Sequence, residues 1–600
     1  MADYTNNFYE SGYASFDPKE NIPHYLGSKL AEASSMGMAL DPRSANQLAE
    51  LSRNLNTGVI PVEIGSIDMT TFDTIPKEHF KEMRRKAKLT GAKVSLHAPI
   101  QAMDPSGFGE RGWEEGQQEV VERQLKSVMD KAAIIDSSGN MPVTIHGSNS
   151  AGSTFKMVNG KKVYDQLMAV DRTTGQLIPI KEDIKYYPTG EIKEKFLSPK
   201  KQLDIQNKSK WSDDLSQIEF SRENAEKIMN ETHSTSRALF AEMNSAPYTG
   251  KKFDKALNSE QEKEIRRLHS AAEYIQDAEM KVQNLFSKAY EFAKKDNNQT
   301  QIDHLNEISK RYASNLGMKE GVPSLNSFNP DTQSKALFEL LHGLKPVYPK
   351  LFQPVEEFSI AKASETFSNV ALHSFKKHGE GAPVVSIENL YQGMGFSQSK
   401  DLNNLVEESQ KKFINKAVKD GYSQNEAEKM AKKLIGVTFD VGHLNVSKAK
   451  GFSNKDLIKE TEEIRKNVKH VHLTDNFGFN DSHLPIGMGN VPVKEMLEAL
   501  GEEGSKARKI NEVGGWFQHF KTNPFSQILE AAGSPIYSSG VGPYWSQTGG
   551  FQQGYLGGYG SMLPDMHYQM FGAGFSQLPS DLGGQRAGAQ GSRMSGNSME

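Results

Sequence analysis

Cysteine is missing from all 600 residues. No disulfide can brace this chain and no thiolate can hold a metal, so any metal site must be built from His, Asp and Glu. Long apolar runs are missing too, and nothing approaches the roughly 18 residues of a membrane span. The opening MADYTNNFYESGYASFDPKEN has neither the basic n-region nor the apolar h-region of a secretory signal. The expectation is a cytoplasmic protein that does not enter a membrane. No excess of one charge marks the chain: the net charge of −4 argues neither for nor against nucleic acid, because a local basic groove can sit in a neutral total. Apolar residues make up only 36% and mean hydropathy is −0.61, so part of the chain should lie outside a packed core.

What is present is a rhythm. GVIPVEIGSI (58–67) reads as a buried strand, and PKEHFKEMRRKAKLTG (76–91) as an amphipathic helix stopped by glycine. AKVSLHAPI (92–100) is a second strand, 114–136 its helix, and PVTIHGS (142–148) a third strand. The alternation predicts parallel βαβ units. It resumes with a helix at 355–377 and the strand PVVSIEN (383–389). Strands at 435–440, 468–473, 508–513 and 535–539 follow, with helices between them. Eight strand candidates predict an α/β fold, a (β/α)₈ TIM barrel. Residues 56–150 form its first part and 351–540 its second.

The remaining segments break that rhythm. Residues 1–55 read as a partly disordered leader with a weak helix near 41–55. Residues 151–350 read as a large, mostly helical insertion after the third strand. It begins with hairpins at VNGKKV and DRTTGQL, where Asn-Gly and Thr-Gly supply turns. Loops on the carboxyl face of a barrel carry such insertions and often recognition. The lysines of 192–210 read as a solvated segment, with phosphate contact the sharper alternative. Residues 541–600 are rich in Gly, Gln, Ser and aromatics. That composition cannot bury a core, which predicts a disordered tail.

The polar residues at strand ends carry the chemistry. His97, His146, Glu388, Asp440, His443, His472, Asp481, His483 and Glu512 all lie at or just beyond the carboxyl ends of predicted strands. A barrel converges there, so residues hundreds of positions apart can meet. A lone buried histidine is more often a packing residue. Nine carboxylates and imidazoles in this arrangement favour a hydrolytic Zn or Mn cluster. His470 shares a face with His472 by strand alternation and is expected deeper in the packing. Asp475 is expected to orient a ligand rather than bind metal.

The segments SLHAPI, TIHGS, SIENLYQG, FDVGH, HVHLTD, DSHLPIGMG and INEVGG resemble, in order, the motifs of the endonuclease IV family within the xylose isomerase-like TIM barrel (AP endonuclease 2) superfamily. Asp-x-x-His at Asp440 and Asp-x-His-x-x-x-Gly-x-Gly at Asp481 are the more specific signatures. The resemblance spans about 58–150 and 380–540. It implies a trinuclear centre, usually zinc with manganese as the alternative, that cleaves DNA 5′ to an abasic site. His97, His146 and Glu388 would hold one ion. Glu388, as the catalytic bridging residue, would join it to a second completed by Asp440, His472 and Glu512. His443, Asp481 and His483 would hold a third. Such a centre activates water without a covalent side-chain nucleophile. The tyrosine that the family carries three residues after the first histidine is Ile100 here.

Two other functions fit the same barrel. A sugar or sugar-phosphate isomerase or epimerase would use one divalent metal on Glu388, Asp440, His472 and Glu512, with glutamates moving protons. It would leave the other five residues without a role. A catalytically silent scaffold would be expected to lack part of the ligand set, and no position is lost.

Overall fold

The computed structural model describes residues 36–531, apart from 57–58, 102, 190, 251–252, 319–324, 515 and 517–523. Eight parallel strands close into a barrel. They are β1 (Met36–Ala39), β2 (Pro61–Ile64), β3 (Lys93–His97), β4 (Pro142–His146), β5 (Val384–Glu388), β6 (Ile435–Asp440), β7 (Val468–Leu473) and β8 (Arg508–Asn511). Helices follow the strands, as the period of their apolar residues requires. In Lys77–Thr90, for example, Phe80, Met83 and Ala87 are buried on one face, and Gly91 closes the helix at φ 71°.

The closing strand is not where the sequence puts it. Residues 535–539 lie outside the described residues, as do 1–35 and the tail from 541. The barrel is completed instead by β1, inside the segment read as a leader. Its residues pair with β8 (Met36 with Lys509) and with β2 (Met38 with Val62). Gly37 makes this possible: a Cβ there would lie 2.4 Å from the Pro61 carbonyl oxygen and 2.6 Å from Ile510 Cδ1. The insertion therefore follows the fourth barrel strand rather than the third.

The barrel interior below the strand ends is polar and hydrogen-bonded. Thr144, Ser386 and Thr438 each sit two residues before a strand-end candidate, on the same face. Thr438 Oγ1 lies 3.0 Å from Thr144 Oγ1 and donates to Ser386 Oγ at 2.8 Å. The apolar core lies outside the strands, against the helices, in residues such as Val143, Ile387, Val437 and Val471.

Residues 36–170, 174–181 and 354–531 belong to one compact unit, and 171–173 with 182–353 to another. The hairpin expected at VNGKKV joins Thr154–Val158 to Lys161–Asp171. Asn159 and Gly160 take positive φ at its turn, as a two-residue Asn-Gly loop requires. The second unit holds the helices Pro199–Asn230, Ser234–Thr249, Ser259–Lys295, Gln299–Asn315 and Pro330–Leu344. They share a core of their own around Trp211, Leu268, Ile275 and Leu337. Among the described residues, no helix is long and apolar enough to cross a membrane.

Candidate metal centre

The nine strand-end residues converge at the carboxyl end of the barrel in three sets, two of which share Glu388; within each set the ligand atoms lie within 4.8 Å of one another. The sets are His97–His146–Glu388, Glu388–Asp440–His472–Glu512 and His443–Asp481–His483.

Glu388, at the end of β5 and fully buried, joins the first two sets. Its Oε2 is 3.1 Å from His97 Nε2 and 3.5 Å from His146 Nε2, and its Oε1 is 2.7 Å from His472 Nδ1. A carboxylate only accepts, so imidazoles on both oxygens place it as a bridge.

The histidines are held by their other nitrogens. His97 Nδ1 faces the Ala98 carbonyl at 2.8 Å, and His443 Nδ1 the Asn389 carbonyl at 2.7 Å. His483 Nδ1 faces the Glu512 carbonyl at 3.2 Å. His146 Nδ1 lies 2.7 Å from Asn149 Oδ1. The amide nitrogen of Asn149 donates to the Ile100 and Met103 carbonyls, which fixes its oxygen toward the ring. In all four, Nδ1 donates to an oxygen acceptor, which leaves Nε2 as the nitrogen that can ligate a metal once it has lost its proton. His472 is reversed. Its Nδ1 faces Glu388 and, at 3.2 Å, Glu512 Oε2, while Nε2 points away.

Asp440 ends β6 and caps the short helix Val441–Asn445, its Oδ1 accepting from the His443 N–H and from Thr474 Oγ1, each at 2.8 Å. Asp481 Oδ2 sits between His443 Nε2 at 3.1 Å and His483 Nε2 at 2.7 Å. His483 adopts φ 45°, a left-handed conformation that a histidine takes only when its surroundings impose it. Reciprocal backbone hydrogen bonds between Asp475 and Leu484, at 2.8 and 2.9 Å, hold the turn. The Asp475 carboxylate accepts from the N–H groups of Asn476, Gly487 and Val491. Gly489 is needed there, since a Cβ would come 2.3 Å from Asp475 Oδ1. Asp475 thus clamps the loop that carries His483.

Charge is concentrated and held in buried ion pairs. Burial opposes it, yet the neighbouring carboxylates push His97 and His483 up to about 9 and raise His443 and His472 well above the usual imidazole range. Despite burial, Glu512 is held down to about 2 by His472, and Asp481 far below the usual carboxylate range by His443 and His483. Burial pushes His146 down to about 4 and raises Asp440.

These residues fit divalent metal ions. Asp440 Oδ2 and Asp481 Oδ1 are buried with no hydrogen-bond partner among the described residues, a costly state that an ion would relieve. The donors are oxygen and imidazole nitrogen, the set zinc and manganese accept. Metal uptake is therefore expected to displace protons. With no ion bound, His97, His443, His472 and His483 keep their protons at pH 7. Uptake at that pH should release protons from these imidazoles, and affinity should rise with pH through about 9, where His97 and His483 lose theirs. A pH indicator in weakly buffered zinc titrations measures this. Uptake without proton release would contradict the ion-paired state of the site.

Residues 405–517 match the family model described as xylose isomerase-like TIM barrel. The eight parallel strands form the TIM barrel that this description names. The family takes in both endonuclease IV and sugar isomerases and epimerases, and its members are enzymes. A 72-residue stretch is 39% identical to an uncharacterized protein of Methanocaldococcus jannaschii, covering 12% of this chain and 23% of that protein's length. A solved structure described as a D-tagatose 3-epimerase-like protein is 13% identical. It covers 84% of this chain and 98% of its own, with a TM-score of 0.35.

One residue of the site escapes the sequence reading. Glu63, on β2, is 1% exposed and lies 2.8 Å from His470 Nε2 and 2.9 Å from His472 Nε2. The signal was available: a carboxylate inside the otherwise apolar run VEI. His470 lies deeper on the face of His472, as expected. Ile100 lines a small cleft with Glu63, His97 and Glu512.

Proposed function

We propose that the protein is a metal-dependent phosphodiester hydrolase, an endonuclease IV-like enzyme acting on DNA with abasic sites in base-excision repair. The observation that carries the reading is the set His443–Asp481–His483 standing beside Glu388–Asp440–His472–Glu512. An isomerase with one divalent ion needs only the second of these.

Charge supports the same reading. The ligand set includes four carboxylates, Glu388, Asp440, Asp481 and Glu512. One divalent ion leaves that set at −2, whereas three leave it at +2. An excess of positive charge suits an anionic phosphodiester and the further charge that develops as it is attacked. Bound divalent ions, zinc or manganese, would polarise a phosphoryl oxygen and lower the pKa of a water molecule.

The protein's own part is positioning. Glu388 ties two sets together, and the Nδ1 anchors of His97, His146, His443 and His483 aim four ring nitrogens inward. Asp481, His483, His146 and Glu512 keep between 13% and 23% of their side chains exposed. They form the rim a substrate meets. Ile100 occupies the place of the family's tyrosine and offers an apolar contact there, with no hydroxyl.

The second reading, a sugar or sugar-phosphate isomerase or epimerase, is favoured by the completeness of Glu388–Asp440–His472–Glu512 taken alone. Two measurements separate them. Elemental analysis of the purified protein should find up to three zinc or manganese ions per chain. A duplex with one abasic site should be incised on its 5′ side, and EDTA should stop the reaction. One ion per chain together with turnover of a ketose would reverse the assignment.

A further inference from the structure

We propose that Glu63 is a positioning residue for His472, holding the imidazole in the tautomer that directs Nδ1 into the metal centre. His472 is the exception among the five histidines of the site. The other four are anchored at Nδ1 by a carbonyl or amide oxygen and present Nε2. His472 presents Nδ1, 2.7 Å from Glu388 Oε1 and 3.2 Å from Glu512 Oε2. A neutral imidazole has one lone pair and one proton. If Nδ1 serves the centre, Nε2 carries the proton and requires an acceptor in a fully buried position.

Glu63 Oε1 stands 2.9 Å from Nε2. Both atoms are buried and neither makes a hydrogen bond to any described residue, so a small turn of the carboxylate would let each serve as the other's partner. The second oxygen of Glu63 is occupied by His470 Nε2 at 2.8 Å. Glu63 and His470 are themselves buried, at 1% and 0% exposure, so neither drifts into water. A carboxylate behind a ligating imidazole does more than a carbonyl. It fixes ring orientation and raises the basicity of the nitrogen that binds. On the other side of the ring, Glu388 and Glu512 stand against Nδ1 and compete for its proton. Glu63 is placed to keep that proton on the far nitrogen.

This inference rests only on the metal-binding part of the proposed function. The phosphodiesterase and the isomerase readings both put an ion on His472, so a wrong substrate leaves it untouched.

The test is zinc affinity measured against a chromophoric chelator, for the full chain and for E63Q and H470Q. Glu63→Gln is expected to weaken binding at the Glu388–Asp440–His472–Glu512 set by about 10–100-fold. His470→Gln leaves the Glu63–His472 contact in place and should change affinity by less than about threefold. Equal losses in the two variants would mean that the buried cluster is only structural, and no loss in E63Q would overturn the proposal outright. Should E63Q fail to fold, nitrogen-15 NMR of histidine side chains in the zinc-loaded wild-type protein decides. His472 should show a protonated Nε2 and a metal-shifted Nδ1, and the opposite tautomer refutes the assignment.

Discussion

Replacing Glu388 with glutamine is expected to remove two of three metal ions and to lower turnover at least about 1,000-fold, or roughly 4 kcal/mol of transition-state stabilisation. The side chain keeps its length, so packing is preserved while one oxygen becomes an amide donor. Oε2 faces His97 and His146, and Oε1 faces His472. Whichever way the amide turns, one set meets an N–H group that cannot ligate. The His97–His146 set loses its only carboxylate, and the Asp440–His472–Glu512 set loses the one that joins it to the first. The set His443–Asp481–His483 shares no atom with Glu388 and should retain its metal. Elemental analysis and incision of an abasic duplex check this. The same variant should release fewer protons on zinc uptake, because Glu388 helps hold His97 up to about 9. Full metal content with activity within about tenfold of wild type would disprove the bridging role.

Gly442→Ala should be nearly as damaging, for a steric reason. Gly442 lies in the short helix that follows Asp440, where alanine is by propensity better than glycine by about 1 kcal/mol. A Cβ at this position would stand 1.9 Å from Thr474 Oγ1 and 3.1 Å from its carbonyl oxygen. Thr474 Oγ1 is the hydroxyl that donates to Asp440 Oδ1, so the clash reaches Asp440 on one side and His443 on the other. Overpacking of this kind costs about 1–3 kcal/mol net. Metal should be lost from the sets that use those two residues. Gly116→Ala is the matched control. It sits in the helix Glu115–Ile135 with nothing within 4 Å of the added carbon, and should stabilise by about 0.4–1 kcal/mol. Thermal unfolding of the metal-free proteins, with metal content alongside, measures both. Equal behaviour of the two variants would remove the steric argument.

Seven of the barrel strands were legible because each is an apolar run that ends in a polar residue or a turn. The helices were legible through their 3.6-residue period. Met36–Ala39 was not. Four residues with a central glycine carry no alternation and no polar end, and the strand exists because β2 and β8 leave a slot that only Gly37 fits. The role of Glu63 is hidden in the sequence for a related reason. Whether a carboxylate in a strand is buried with a partner depends on which strand stands across the barrel. Its partners, His470 and His472, are some four hundred residues away in the chain.

The ligand chemistry is already written in the amino-acid sequence. With no cysteine, and with His, Asp and Glu at the carboxyl ends of strands, the site could hold metal only through nitrogen and oxygen. Tertiary structure alone decided how those residues divide into sets, that Glu388 stands between two of them, and which nitrogen of each imidazole faces inward. That division depends on the closure of the barrel and on anchors such as Asn149, Asn389 and Glu63. Their positions relative to the histidines are fixed by strand register across the barrel and by the loops at its rim, which spacing along the chain does not encode.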